Sequence, residues 1–259
     1  MGFKASVNII WPTFLVLGLI AAQPLCAQSS DSTRSVNYFG GSVAATNNGI
    51  SVLPTFSLNK PAALITLRAG RRLTFEPEFR FSLEGKPWSF VFWGRYKLIQ
   101  HGKFRLTVGA HPGYLFRTQS LTTNGSTSDI ITTERYLATE LSPDFYITKN
   151  TSIGMYYLQS RGFEESSVKN THFITLNVNF NKIALYKSYY LKFNPQVYYL
   201  KMDKNDGYYF TSTLTLARTK FPLSIESIMN RTIESNIPSK DFLWNISLIY
   251  SFGKQYKAI

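Results

Sequence analysis

The chain has 259 residues, with 28 Lys+Arg against 15 Asp+Glu, a formal charge of +13, three histidines and a single cysteine. One cysteine excludes a disulfide framework within the chain, and cations that stand singly among apolar residues argue against a nucleic-acid surface. No Gly/Ser/Pro-rich linker or low-complexity block divides the sequence, so a single domain is expected.

Lys4 precedes an apolar run over residues 7–22, followed by Gln23, Pro24, Leu25, Cys26, Ala27 and Gln28. Residues 1–27 read as a secretory signal peptide cleaved after Ala27. Interrupted by Asn8 and Pro12, the run falls short of the roughly 20 apolar residues that a bilayer-spanning helix needs. Lipidation at Cys26 is the rival reading, but Leu25 stands where a lipoprotein signal has a small residue. Cleavage removes one lysine and the only cysteine, leaving an exported, basic chain with no covalent staple. Residues 28–35 read as a mobile polar tail and residues 36–259 as the folded domain.

From there the periodicity is two, with no helical period anywhere. About twelve strands are predicted, with 10–14 allowed. The first spans 37–46 or 50–58; the others span 62–67, 73–83, 88–99, 104–117, 130–147, 151–160, 172–181, 189–201, 208–218, 223–230 and 242–252. Short links at 69–72, 100–103, 148–150, 181–188 and 219–222 alternate with longer ones at 118–129, 161–170 and 231–241. A membrane barrel has short turns on one side and long loops on the other, which accounts for this sorting. A soluble sandwich has no reason to show it.

Individual strands can be sided, because successive side chains point to opposite faces. In the 73–83 strand, Leu73, Phe75, Phe79, Phe81 and Leu83 oppose Thr74, Glu76, Glu78, Arg80 and Ser82. The next strand would turn Trp88, Phe90 and Phe92 to lipid and Arg95 and Lys97 inward. A hairpin closed by residues 84–87 would set Leu83 opposite Trp88 and Glu76 opposite Arg95. Ile174, Leu176, Val178 and Phe180 alternate with Thr175, Asn177 and Asn179; Tyr209, Thr211, Thr213 and Thr215 form a hydroxyl-lined face. In the last strand Phe242, Trp244, Ile246, Leu248, Tyr250 and Phe252 share one side. Asn245, Ser247 and Ser251 share the other with Leu243 and Ile249. A face of large apolar residues with aromatics at both ends suits hydrocarbon between two interfaces.

The expected fold class is therefore all-β: a closed antiparallel transmembrane β-barrel in the outer membrane, reached by export through the periplasm. Charge on a strand face avoids lipid, since Lys or Arg at the midplane costs about 2–4 kcal/mol. This assigns Glu76, Glu78, Arg80, Arg95, Lys97, Arg105 and His111 to the lumen, with Lys192 and Asn194. Twelve strands fall between barrels that side chains fill and those that hold a water channel. Mutual pairing of Glu76, Glu78, Arg80 and Arg95 accounts for their charges, as would a charged pore.

Catalytic and metal-binding signals are weak. His101 falls in a turn, His172 at a strand start, and no G-x-S-x-G element marks a nucleophile. No two histidines have ligand spacing, so neither catalytic residue, metal nor cofactor is assigned. Matches to the N-x-S/T pattern, such as Asn124 and Asn245, are chance matches in Asn/Ser/Thr-rich segments.

The block TFEPEFRFSLEGKPWSFVFWGRYKL (74–98), followed by FRLTVGAHPGYLF (104–116), resembles uncharacterised outer-membrane β-barrel proteins of Bacteroidota-type bacteria. The resemblance implies location and barrel form and carries over no site residue. Such barrels usually end on an aromatic residue, whereas residues 253–259 follow Phe252 here. Tyr250 and Phe252 are then the assembly signal, read by the barrel-assembly machinery, with a short periplasmic tail. The expected partners are outer-membrane lipid, lipopolysaccharide and a small-molecule solute. The expected function is a narrow channel or binding barrel for small solutes. An outer-membrane enzyme acting on lipid or lipopolysaccharide and a purely structural or adhesive barrel are the alternatives.

Overall fold

The computed structural model describes residues 36–51, 53–123 and 126–257. The expected signal peptide (1–27) and polar tail (28–35) lie outside the described residues. Thirteen strand segments follow one another: β1 (Val36–Thr46), β2 (Ala62–Gly70), β3 (Leu73–Ser82), β4 (Pro87–His101), β5 (Phe104–Thr123), β6 (Ser126–Tyr146), β7 (Thr151–Gly162), β8 (Asn170–Ala184), β9 (Tyr189–Met202), β10 (Asn205–Arg218), β11 (Leu223–Ser235), β12 (Phe242–Trp244) and β13 (Ser247–Lys257). From β1 to β11 each strand pairs antiparallel with the next, and β1 and β11 both pair with the final pair of segments, which closes the sheet into a barrel. Segments β12 and β13 hold one register against β11 and are halves of a single strand interrupted at Asn245 and Ile246. Among the described residues the barrel is therefore twelve-stranded, as the sequence predicts.

Alternation decides which way each strand faces. Phe242, Trp244, Ile246, Leu248 and Tyr250 are about half exposed on the outer wall, while Leu243, Asn245 and Ser247 are buried inside. Phe252 follows on the same outward phase and is partly covered. Phe75, Ile174, Leu176, Phe210 and Ile225 continue the exposed apolar wall around other strands. Apolar surface of that extent is anomalous in water and suits the hydrocarbon of a bilayer. At the seam, Gly40 lies opposite Gly253 and the Tyr38 side chain covers both, so that a Cβ at either position would run into the phenol.

The two ends of the barrel differ. One end carries the first and last strand termini together with the short turns at 71–72, 102–103, 147–150, 185–188 and 219–222; we call it the terminal end. The distal end carries the longer connections 47–61, 163–169 and 236–241, the tight turns at 83–86 and 203–204, and the β5–β6 hairpin.

Five expectations are corrected. Of the two spans offered for the first strand, 37–46 forms it, and the described residues of 50–58 do not, because the 47–61 connection folds into the distal mouth with a 3-10 turn at Pro54–Phe56. Proline at its first position supplies a preset φ. The segment 118–129, expected as a loop, is mostly strand, since β5 and β6 pair continuously out to Thr123 and Ser126. The 84–87 turn is tighter than expected: Ser82 N–H donates to Lys86 O at 2.9 Å, with Gly85 in the left-handed region at φ 82°. A bulge follows, so that Arg80 faces Ser89 while Phe81 faces Pro87. The bulge turns Trp88 inward, 2% exposed, and not to lipid. Glu76 consequently lies opposite Trp93, and Thr74 opposite Arg95. From Ser89 onward this slip of two residues keeps the side chains on their faces, so Glu76 and Arg95 still share the lumen.

Candidate functional site

The lumen is built from the inward phase of each strand. On β2 to β7 these residues form a chain of ion pairs. Arg68 Nε lies 3.1 Å from Glu76 Oε1, and Arg95 Nη1 lies 2.6 Å from Glu76 Oε2. The same guanidinium donates through Nε to Glu140 Oε1 at 2.6 Å and through Nη2 to Glu140 Oε2 at 3.2 Å, a bidentate grip. Tyr156 OH adds a third bond to Glu140, at 2.7 Å, and Thr74 Oγ1 donates to Glu76 at 2.8 Å. Glu78 and Arg80, two apart on β3, pair with each other. Arg95 stacks on the Trp93 ring at 4.1 Å, and the other neighbour of that ring is His111, with centroids 4.0 Å apart.

The facing wall, from β7 to β9, is a ladder of amides. Asn179 Nδ2 donates to Ser152 Oγ (3.2 Å) and to Asn177 Oδ1 (2.9 Å). Asn194 Nδ2 donates to Asn179 Oδ1 at 2.6 Å, and Gln196 Nε2 donates to Asn194 Oδ1. These residue types recur at every second position because only that phase is shielded from lipid, and each uncharged amide offers both a donor and an acceptor.

Between the walls lies a cavity of about 570 Å³, lined by Glu78, Arg80, Trp93, Arg95, His111 and the amides. A second, of about 290 Å³, lies against the β1, β10, β11 and β13 walls and shares Ser51, Glu78, Arg80 and Gln196 with the first. A third, of about 500 Å³, is a crater at the distal end, lined by Lys60, Glu84, Lys86, Arg117 and Asp129. Crater and chamber share Phe56 and Leu115, so these side chains are the partition between them.

Phe56 is delivered by the inward-folded 47–61 connection, which acts as a cap. Its backbone carbonyl accepts Trp88 Nε1–H at 2.9 Å, its ring meets Tyr136 at 5.4 Å, and Thr55 Oγ1 donates to Met202 Sδ at 3.4 Å. Leu53 and Phe56 pack on a buried cluster of Phe173, Tyr198, Leu200, Met202, Tyr209 and Ile237. At its start the cap is tied to the last strand: Asn48 Nδ2 donates to Trp244 O (3.1 Å), Asn245 Nδ2 to Asn48 O (3.2 Å), and Ile246 N–H to Asn47 Oδ1 (2.8 Å).

Of the sequence-predicted lumen residues, Glu76, Glu78, Arg80, Arg95 and His111 meet in or beside the chamber. Lys97 lies nearer the terminal end among Arg68, Glu76 and Arg105. Arg105 stacks on Tyr146 at 4.3 Å and lies opposite Asp144 in the β5–β6 ladder. Lys192 shares its strand phase with Asn194 and Gln196 but is no part of the chamber wall. Sequence reasoning missed Arg68, Trp93, Glu140, Tyr156 and the whole cap. Glu140 and Tyr156 were legible, since each sits on the polar phase of its strand. The cap left no periodic signal. Among the described residues no group of three or more His, Asp or Glu has the geometry to hold a metal ion.

No family model matches the chain, and no curated protein matches it. Among solved structures, the KdgM porin in complex with disordered oligogalacturonate aligns at 12% identity and TM-score 0.48, covering 83% of this chain and 99% of that one. An outer membrane channel from Pseudomonas putida F1 aligns at 10% identity and TM-score 0.46, over 84% and 94% of the two chains. OmpT, an outer membrane protein of Vibrio cholerae, aligns at 9% identity and TM-score 0.42, over 86% and 99%. These are likenesses of outline only.

Proposed function

We propose that this protein is an integral outer-membrane barrel that serves as a narrow, capped passage and binding chamber for small polar solutes. The terminal end lies in the periplasm and the capped distal end faces outside. Export through residues 1–27, membership of the Bacteroidota-type barrels suggested by residues 74–98, and dealings with the assembly machinery and lipopolysaccharide belong to the same reading. The observation that carries it is the serial arrangement of crater and chamber, separated by Phe56 and Leu115 alone among the residues they share. A barrel with a purely structural role has no need of a polar chamber behind a thin apolar partition.

The partition can be opened by truncation. Refolded into planar bilayers, the native protein should conduct weakly and intermittently. Phe56→Ala should raise the mean conductance several-fold, and Trp88→Phe should raise it less, because it removes one hydrogen bond to the cap worth about 1 kcal/mol. Identical low conductance in all three proteins would refute the passage.

A further inference from the structure

We infer that the chamber takes an uncharged, polyhydroxylated solute of the sugar or polyol class and discriminates against ions of the same size. The inference rests on reading the barrel as a solute passage and names what passes.

The charges of the wall are already matched to one another. Glu76, Glu78 and Glu140 are held by Arg68, Arg80 and Arg95 in four ion pairs. The remaining carboxylate in the lining, Asp144, has Arg105 directly opposite it. An entering anion is drawn to a guanidinium but repelled by the carboxylate bound to it, and a cation meets the converse. Either ion gives up hydration without gaining a free counter-charge, which is the unfavourable case for a charge leaving water. The uncompensated cations Lys97 and Lys192 lie outside the chamber lining.

Groups that suit a neutral hydroxylated molecule are present and in part unused. The amide wall presents alternating donors and acceptors through Asn177, Asn179, Asn194 and Gln196. Across from it, Ser89 Oγ and His111 Nδ1 are buried in the chamber wall with no hydrogen-bond partner, Ser89 being only 8% exposed. Buried polar groups are seldom left in that state, and a small rotation of either side chain toward the chamber would let a ligand hydroxyl satisfy it. Val91, Leu115, Leu158 and Phe173 supply an apolar side to the same cavity, matching the C–H faces of a sugar ring. At about 570 Å³ the space falls within the roughly 300–1,000 Å³ of small-molecule sites.

Liposome swelling with the full-length Phe56→Ala protein separates the cases, using glucose, glucuronate and glucosamine at equal osmolarity. These probes share one ring and differ in charge. Glucose should enter about tenfold faster than either ion, the ratio that corresponds to about 1.4 kcal/mol. Entry of glucuronate or glucosamine at the rate of glucose or faster overturns the assignment to neutral solutes and leaves the passage standing. No entry of any of the three overturns both. Asn194→Asp, nearly isosteric, places one unmatched carboxylate on the amide wall, and Gln196→Glu does so one step along if the first variant fails to fold. In either background the glucosamine-to-glucose ratio should rise about tenfold, and an unchanged ratio overturns the inference.

Discussion

Arg95 is the residue on which the lumen turns, because its guanidinium satisfies two carboxylates on different strands, one of which, Glu140, has a side chain only 2% exposed. Removing one partner of such a pair strands the other charge away from water. Arg95→Leu should therefore destabilise the barrel by about 3–5 kcal/mol, and combining it with Glu140→Gln should recover much of that loss. Unfolding of the four proteins by guanidinium in detergent micelles measures the coupling, and additive losses would mean that water screens the pair. At this scale the sequence was partly legible. The face of every charged residue on β3 and β4 follows from alternation alone, but their partners do not. The cross-strand neighbour of Glu76 depended on a turn one residue tighter than expected and on a bulge at Trp88. Glycine and proline mark such a turn without fixing its length, which is why the faces of β3 and β4 were read correctly except at Trp88, beside the bulge, and the register was not.

Strands carry the membrane and connections carry the gate. On the last strand, Leu248 is 52% exposed on the outer wall, and Ser247 is buried beside the second cavity, opposite Glu226. Leu248→Arg should cost about 2–4 kcal/mol and impair insertion, whereas Ser247→Arg, with a carboxylate to meet it, should be milder. Heat-modifiable migration on gels reports both, and equal impairment would contradict the facing. The distal connections hold by polar bonds that pH can reach. Glu164, in the 163–169 connection, accepts Arg135 N–H and Arg135 Nε–H, each at 2.6 Å. The backbone bond foremost, and the side-chain bond with it, hold its pKa below the ordinary 4.5. A carboxylate depressed in the folded state contributes fully above its unfolded pKa and loses that contribution as pH falls through the folded one. Exchange of the Arg135 amide proton should thus be slow at neutral pH and accelerate only as pH falls below the ordinary glutamate range, once intrinsic rates are accounted for. Strands of this kind announce themselves by period two. The 47–61 connection does not, because it is held by packing of Leu53 and Phe56 on residues from β8, β9 and β10, contacts that leave no mark on local sequence.

For the molecule as a whole, strand number and the gathering of short turns at the terminal end were legible because lipid imposes pairing on every strand alike: backbone groups must pair and outward side chains must be apolar. The cavities were not, since a lumen is the space left by residues distant in sequence. That distance has a kinetic meaning at the cap. Its first residues, Asn47 and Asn48, are bonded to Trp244, Asn245 and Ile246, about two hundred positions further along the chain. Until the last strand arrives, the side chains of those asparagines lack these partners, and the start of the cap is not yet anchored for lying across the mouth. Long-range pairings of this kind form late, after intervening chain has been ordered. Burial of Trp88 against the Phe56 carbonyl should accordingly lag behind the gain of β-sheet signal during refolding, and it should not occur in a chain ending before Phe242. Sealing is then the final event of assembly: a barrel that has not closed on itself is also a barrel with its gate open.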